Sequence, residues 1–449
     1  MNTQLPLDTI AAVATPPGNG GVGIIRISGP QVPEIALTFL NKQATPRQAH
    51  YLNFTDIDGS TIDNGILLYF PAPASYTGEH VLELQGHGGA VVINMLLKRV
   101  INLGARIARP GEFTERAFLN NKLDLAQAEA VADLITSSTE QSVRSAQKSM
   151  QGVFSSQINT LVDELIELRV YVEAAIDFVD EEIDFLSDGV VENRIIKLEQ
   201  ALTQILATAQ QGRLLRDGMT VVLAGKPNAG KSSLLNALAG HDAAIVTEEA
   251  GTTRDVLKES IQIDGMPLHI IDTAGLRDSE NVVEKEGVRR AREEIKKADM
   301  VLVIADIRDS DDQAFESSLF EQKKIVKIIN KIDLQHRPAE LIETPQGSTI
   351  YLSVKTGIGM DLLKQVLKQT MGFDDHSEDV FIARTRHIDA LNTALLSIHI
   401  ALEQLQDNQA GELVAEDLRQ AQNQLAEITG TVSSDDLLGH IFSSFCIGK

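Results

Sequence analysis

The sequence predicts an α/β domain with a doubly wound, mostly parallel sheet, inserted in an all-α helical bundle and preceded by an α+β N-terminal domain. Three observations predict it. Apolar strand-length runs alternate with helical segments between residues 219 and 374. On both sides of that stretch, apolar residues recur at steps of three and four. The first 118 residues instead hold short β-branched runs broken by turn residues. The boundaries that follow are 1–118 for the α+β domain, 119–215 and 377–449 for the two halves of the helical domain, and 216–376 for the α/β domain. A chain of 449 residues suggests about three domains by length alone.

In the first part, Thr9–Val13, Gly23–Ile27, Ile66–Tyr69 and His80–Leu84 read as strands, and Ala90–Leu103 reads as a helix. Pro16-Pro17-Gly18, Asp58-Gly59, Pro71-Ala72-Pro73 and Gly86-His87-Gly88-Gly89 separate them as turns. Gly18 to Gly23 matches G-x-G-x-x-G, but a dinucleotide fingerprint opens a helix. Here Ile24-Ile25-Arg26-Ile27-Ser28 follows and reads as a strand, so the glycines form a turn. In the second part, Phe154, Ile158, Leu161, Leu165, Leu168, Val172 and Ile176 make a helical seam, which Ile195, Leu198, Leu202 and Ile205 repeat. The seam resumes with Leu391, Leu395, Ile398, Leu402 and Leu405, then Leu418, Leu425 and Ile428. Such helices cannot each bury a stripe alone, so one antiparallel bundle accommodates both halves. Between them, Met219–Ala224, Leu268–Ile271, Met300–Ile304, Ile325–Ile329 and Ile350–Leu352 are the predicted strands of the sheet.

A net charge of −23 excludes a general basic coat for nucleic acid, because Lys and Arg contacts to phosphate carry most such affinity. An RNA partner would need local basic patches or a second protein. The acidic stretch from Asp177 to Asp184 carries no cation and reads as a solvated helix face or end. No run approaches the roughly 18 apolar residues of a spanning helix, and the N-terminus lacks a signal peptide's basic start and apolar core. The single cysteine, Cys446, cannot form an internal disulfide. These features lead to the expectation of a reduced, cytoplasmic protein with no membrane span. The tail Cys446-Ile447-Gly448-Lys449 fits a prenylation signal poorly.

Four elements in order carry the chemistry. Gly225-Lys226-Pro227-Asn228-Ala229-Gly230-Lys231-Ser232 follows a strand and runs into a helix that continues from Lys231 to Ala239, the context of a phosphate-binding loop. Its glycines admit backbone N–H groups to phosphate oxygens, and the helix N-terminus adds partial positive charge. Lys231 is expected on the β- and γ-phosphates and the Ser232 hydroxyl on Mg²⁺, with Asn228, Ala229, Gly230 and Ser233 completing the cradle. Thr252-Thr253 supplies a switch threonine, Thr253, expected to complete the Mg²⁺ shell. In Asp272-Thr273-Ala274-Gly275, Asp272 would hold Mg²⁺ through water, and the Gly275 N–H would lie near the γ-phosphate. Asn330-Lys331-Ile332-Asp333 selects guanine, since the Asp333 carboxylate accepts from N1–H and the exocyclic amine, which adenine cannot offer. Ser353-Val354-Lys355 is placed to back the base. GTP is therefore the expected substrate, and the α/β domain is expected to be a P-loop GTPase. Leu276 stands where Ras-like proteins carry the water-orienting Gln, so another group must act on the attacking water. Glu280, Glu284 and Glu286 lie in the following segment and are the candidates by residue type.

With these elements in place, the chain closely resembles the MnmE (TrmE) family of tRNA-modification GTPases. The resemblance covers essentially the whole length. It includes Ala14-Thr15-Pro16-Pro17-Gly18, Gly20 to Gly29, Glu83 to Gly89, Arg109-Pro110-Gly111-Glu112-Phe113-Thr114, Arg116 to Asn120, Lys122 to Leu125, and the terminal Phe445 to Lys449. It implies a dimerising N-terminal domain that binds 5-formyl-tetrahydrofolate or a related tetrahydrofolate, with Arg26, Glu83, Lys122 and Lys449 as folate-binding residues. It implies K⁺-assisted hydrolysis, with Asn228, Thr247, Glu249 and Thr252 as K⁺ ligands; Glu249 stands where the family is often apolar, which a backbone carbonyl ligand tolerates. Thr247 and Thr252 also join the GTP site by the same resemblance. Glu284 aligns with the family's catalytic glutamate, and Cys446 falls near the modification chemistry, as a reactive thiol or as an inert tail cysteine. The implied partners are tRNA and the flavoprotein MnmG (GidA), in a heterotetramer. The implied reaction adds an aminomethyl or carboxymethylaminomethyl group at C5 of the wobble uridine. A regulatory GTPase switch in ribosome assembly, without modification chemistry, is the alternative. A dimerisation protein with vestigial nucleotide binding is a second one, opposed by the intact Lys231, Ser232, Asp272 and Asp333.

Overall fold

Alternating apolar residues in the first part build a six-stranded sheet of order β3-β4-β5-β2-β1-β6. Its strands are β1 (Ile10–Val13), β2 (Gly20–Ser28), β3 (His50–Thr55), β4 (Thr61–Phe70), β5 (Val81–Gly88) and β6 (Arg106–Ile107). The computed structural model describes residues 8–177, 189–241, 258–263, 265–272, 298–308, 323–344, 347–371, 380–408, 410–431, 435–446 and 448. All pairs in this sheet are antiparallel except β1 with β6. Because strand side chains alternate between faces, Ile25 and Ile27 of β2 and Leu82 and Leu84 of β5 share one face. Helices α1 (Val32–Leu40) and α2 (Ala90–Asn102) bury that face with Val32, Ile35, Phe39, Ile93, Leu96 and Val100. Arg26 and Glu83, between those apolar residues, fall on the opposite face. No helix follows the glycine-rich stretch, as expected, but Gly20 to Gly23 are the start of strand β2 rather than a turn, with a register shift against β5 between Gly20 and Gly23. Helix α1 and strand β3 were not predicted, although Val32, Ile35, Ala36 and Phe39 of α1 stand at the i, i+3, i+4, i+7 spacing of a buried helix face.

Two compact units divide the chain: residues 1–135, 149–199 and 393–449 form one, and 136–148 with 200–392 form the other. In the first unit, α3 (Glu112–Leu119), α4 (Leu125–Thr136) and α6 (Val153–Asp177) follow the sheet, with α11 (Gly411–Thr429) packed along α6. The predicted seam of α6 is the buried one, from Phe154 through Val172, with Ile176 half-buried at its end. Arg169 Nη1 donates to Gln422 Oε1 at 2.6 Å across the α6–α11 pair. The remaining helices are α5 (Glu140–Met150), α7 (Val190–Asp217), α8 (Lys231–His241), α9 (Met360–Met371), α10 (Thr385–Asn408) and α12 (Asp435–Ser443). Three seam positions differ from expectation. Along α10 the fully buried residues include Ala394 and Ala401, while Leu395 and Leu402 are half-buried; along α7 it is Leu206 rather than Ile205 that is buried. Small residues thus share the buried seam of α10, and the two leucines flank it.

In the second unit a seven-stranded sheet has the order β12-β13-β11-β10-β7-β9-β8. Its strands are β7 (Met219–Gly225), β8 (Lys258–Ile263), β9 (Met266–Asp272), β10 (Met300–Asp306), β11 (Lys324–Asn330), β12 (Glu340–Thr344) and β13 (Gly347–Tyr351). The five predicted strands are the parallel ones, and the two that were missed, β8 and β12, are antiparallel edges. The parallel interior reads as continuous apolar runs because both of its faces are covered. Edge strands such as Glu340–Thr344 carry an exposed polar pattern that resembles loop.

One ionic cluster ties the N-terminal segments together. Arg116 on α3, 1% exposed, donates to Asp8 Oδ1 at 2.8 Å, to both oxygens of Glu79 at 3.1 Å and to Glu112 Oε1 at 3.1 Å. Arg106 of β6 adds two hydrogen bonds to Glu112, at 2.8 and 2.5 Å, and the Arg109 N–H adds another at 2.8 Å. Burial alone would raise the Glu112 pKa, but the bonds from Arg106, Arg109 and Arg116 outweigh it and hold the carboxyl at about 2. A carboxylate with a depressed pKa contributes stability that is complete above its unfolded value and lost as pH falls through its folded value. Removing one partner of a buried ion cluster strands the others without compensation. Arg116→Ala should therefore destabilise this unit by about 3–5 kcal/mol in urea denaturation. In the wild-type protein, the contribution of Glu112 should disappear as pH falls from the 4.5 of a free glutamate through about 2.

Candidate nucleotide-binding site

In the seven-stranded sheet, β7 lies between β9 and β10. The chain leaves β7 for β9 on one side and returns to β10 on the other, so the two directions part beside β7. In open parallel sheets that switch point opens a crevice outside the carboxyl ends of the strands. Gly225 to Ser232 follows β7 there, Asn330 to Asp333 follows β11, and Ser353 to Lys355 follows β13. Three segments distant in sequence thus meet at one edge.

Two glycines of the first loop are required by close approach. A Cβ on Gly225 (φ +150°) would stand 2.2 Å from the Ile304 carbonyl of β10, and one on Gly230 (φ +110°) would stand 2.2 Å from Asn330 Nδ2. Asn228 adopts a left-handed φ of 64° without being glycine. Helix α8 begins at Lys231, placing Ser232 and Ser233 in its first turn, where backbone N–H groups have no intrahelical acceptor. The Lys231 ammonium donates to the carbonyls of Gly225 at 2.8 Å and Lys226 at 3.2 Å, so the loop closes around it.

Asn330 joins all three segments. Its Nδ2 donates to Ala229 O at 2.9 Å, while its Oδ1 accepts from Lys331 N at 2.7 Å and from Val354 N at 3.1 Å. It is 3% exposed, so its role is to hold the loops together. Lys331, also left-handed at φ 68°, donates its ammonium to Asn228 O and to Asp306 Oδ2, both at 2.7 Å. Hydrogen bonds from Arg308, then from Lys331, hold the Asp306 carboxyl well below the usual carboxylate range. Ser353 Oγ donates to Asp333 Oδ1 at 2.6 Å, which fixes the orientation of that carboxylate.

A cavity of about 910 Å³ opens among these loops. Asn228, Gly230, Lys231, Ser232, Ser233, Asn330, Lys331, Asp333, Val354 and Lys355 all face it, whereas the expected Ala229 and Ser353 are not among its lining residues. Asn236, Ala237 and Leu334 line it too and were not predicted. The first two stand one helical turn beyond Ser232 and Ser233, a spacing that could have revealed them. Asp272 ends β9 in register with Leu223 of β7, at the same edge of the sheet. Thr247, Glu249, Thr252, Thr253, Thr273, Ala274, Gly275, Leu276, Glu280, Glu284 and Glu286 lie outside the described residues, as does the Asp272 side chain.

In the other unit, Arg26 and Glu83 are cross-strand partners joined at 3.0 Å. They face a cavity of about 300 Å³ with Phe70, Tyr76, Leu134 and Ile135. Lys122 lines a different cavity, of about 510 Å³, beside Asn121, Asp124, Gln127 and Thr431. Its ammonium lies 3.3 Å from Pro73 O, on the loop that also carries Tyr76. The described structure thus brings two of the four folate candidates together and holds Lys122 apart; Lys449 lies outside the described residues. Cys446 is an exposed free thiol whose carbonyl accepts from Gly111 N at 3.3 Å. Gly448 packs so tightly on β1 that a Cβ would stand 2.3 Å from Val13 O. Among the described residues no helix is long and apolar enough to cross a membrane.

A phosphate loop and a guanine-selecting turn around one crevice define a P-loop GTP-binding protein. A family model described as MnmE helical domain matches residues 125–446, and one described as GTP-binding protein TrmE N-terminus matches residues 9–122. The tRNA modification GTPase MnmE of Hydrogenovibrio crunogenus is 57% identical over 445 residues, spanning 98% of this chain and 99% of the relative. Those of Yersinia pestis and Proteus mirabilis are 58% and 56% identical over 450 residues, with the same coverage. The chain belongs to the MnmE family of tRNA modification GTPases.

Gly230→Ala would drive a methyl group into Asn330 at a backbone angle that L-residues avoid. Titration with a fluorescent GDP analogue should show binding weakened by roughly 100-fold or more, since two strained terms of about 1–3 kcal/mol each combine.

Proposed function

We propose that this chain hydrolyses GTP to time a tRNA modification, the addition of an aminomethyl or carboxymethylaminomethyl group at C5 of wobble uridine. The observation that carries the reading is the convergence of Lys231, Ser232, Asn330 and Asp333 on one cavity. Lys231 would bind the β- and γ-phosphates, and N–H groups of the first turn of α8 would hold their oxygens. Asp333, oriented by Ser353, would accept the two guanine donors. Ser232 and Thr253, with Asp272 through water, are the residues for Mg²⁺, and Asn228, Thr247, Glu249 and Thr252 those for K⁺. These cations, when bound, supply positive charge for the phosphate oxygens. Glu284 would act on the attacking water, because Leu276 cannot.

Arg26 and Glu83, side by side over an aromatic-lined cavity, suit the carboxylates and pterin donors of 5-formyl-tetrahydrofolate or a related folate. The tail bearing Cys446 and leading to Lys449 passes over Val13, whose strand partner Ile25 adjoins Arg26, which supports a shared site. Lys122, in the neighbouring cavity, would join it through the loop that carries Tyr76. The reading further includes a homodimer through the N-terminal domain, the flavoprotein MnmG (GidA) as partner in a heterotetramer, tRNA as substrate, and action in the cytoplasm. The α/β domain, at residues 216–376, would be inserted between helical segments 119–215 and 377–449, consistent with a helical-domain match that encloses it.

Asp333→Asn should move nucleotide preference from GTP toward xanthosine triphosphate in competition binding; retained GTP preference would reject the base contact. Hydrolysis should be faster in K⁺ than in Na⁺, and equal rates would reject the role of Asn228. Mass spectrometry of wobble uridines from cells lacking the protein should show loss of the C5 substituent. A profile identical to wild type would favour the ribosome-assembly switch instead.

A further inference from the structure

Two residues of the nucleotide site, neither of them glycine, hold left-handed backbone angles: Asn228 in the phosphate loop (φ 64°) and Lys331 in the base-selecting turn (φ 68°). Such conformations cost roughly 1–3 kcal/mol each and persist only where neighbouring groups enforce them. A single ammonium links the two. Lys331 Nζ donates to the Asn228 carbonyl at 2.7 Å and to Asp306 Oδ2, also at 2.7 Å. Asp306 is the last residue of β10, in register with Asn330 of β11, and its side chain is 10% exposed. Rigid strand geometry therefore fixes this carboxylate at the rim of the crevice. Arg308 holds both oxygens: it donates to Oδ1 from Nε and from the backbone N–H, each at 3.0 Å, and to Oδ2, the oxygen Lys331 also uses, from Nη2 at 2.7 Å. The carboxylate is thus held from both sides, and the lysine is aimed by it.

We propose that Asp306 is a positioning residue for nucleotide binding: its carboxylate holds the Lys331 ammonium against the Asn228 carbonyl, locking phosphate loop and base turn into one preorganised unit. The inference rests on the reading of the cavity as a guanine nucleotide site, and assigns Asp306 no contact with the nucleotide. An ion pair supplies what a neutral hydrogen bond does not. The lysine's charge is compensated on the side away from the loop, so its remaining donors stay directed at the Asn228 carbonyl. Without that charge the ammonium is free to turn toward solvent, and the two strained residues lose their common restraint. Nucleotide would then have to order the loop as it binds, at a cost in affinity.

The test is a double-mutant cycle in full-length protein, read as affinity for Mg·GDP with a fluorescent analogue. Asp306→Asn keeps the size and removes the charge; it should weaken binding by roughly 10- to 100-fold, the value of a charge-assisted hydrogen bond. Asp306→Glu, which keeps the charge, should recover part of the loss. The ratio of affinities for GTP and xanthosine triphosphate should not change in Asp306→Asn, because the base contact through Asp333 is intact. Asp306→Asn combined with Lys331→Met should bind no more weakly than Lys331→Met alone. Wild-type affinity in Asp306→Asn would overturn the proposal. So would losses that multiply in the double variant, which would mean a general structural role. Absence of GDP binding by the wild-type protein would instead overturn the nucleotide-site reading itself.

Discussion

The Asn330 side chain is the interaction on which the nucleotide site depends. With one donor to Ala229 and one oxygen shared by Lys331 N and Val354 N, it ties the loops after β7, β11 and β13 into a single surface. Each hydrogen bond is worth only about 1 kcal/mol net. The larger effect is the cost of breaking them, because a buried amide left unpaired loses the full price of its desolvation. The loops are therefore held together or not at all. That explains why Gly230 must be a glycine: the space a methyl group would need is the space Asn330 occupies.

Asn330 can do this only because the sheet places it. In register, Asp306 of β10 lies beside Asn330 of β11, and Leu223 of β7 beside Asp272 of β9. Parallel strands end together, so residues far apart in the chain arrive at one edge with their loops facing the same way. The apolar interior that enforces this register includes Val221, Leu223, Leu302, Ile304, Val326 and Ile328, all buried. Burying such a side chain contributes about 1.5–3 kcal/mol. The core thus supplies the stability that the strained turns at Asn228 and Lys331 consume.

The N-terminal unit follows the same logic with different chemistry. One face of its sheet packs its buried apolar residues against α1 and α2, and the paired charges of Arg26 and Glu83 lie on the other face. Near β6, a buried guanidinium, Arg116, draws Asp8, Glu79 and Glu112 from three separate segments. A buried charge without partners would be far more costly than the cluster it forms. In the sequence Arg116 belongs to a stretch of family resemblance, and nothing in its spacing announces that it is buried.

Local signals were sufficient for the elements with a strong period. The α6 seam, the five parallel strands and the phosphate loop were all legible, because helical spacing, continuous apolar runs and glycine patterns are properties of short windows. The edge strand β12 was not, since its exposed residues carry no such pattern; β8 and α1 do carry one, in Ile261 and Ile263 and in Val32, Ile35, Ala36 and Phe39, but over windows of only six and nine residues. On α10 the buried seam includes Ala394 and Ala401 beside Leu391, Ile398 and Leu405, and a hydropathy reading that favours large side chains passes over the alanines. By itself, the sequence determined which residues could bind phosphate and guanine, since those roles follow from side-chain chemistry and spacing within a few residues. Only the tertiary structure decided that Asp306, Asn228 and Lys331 form one link, that Arg26 and Glu83 share a cavity, and that Lys122 stands in another. Those are distances between residues far apart in the chain, and strand register and packing set them.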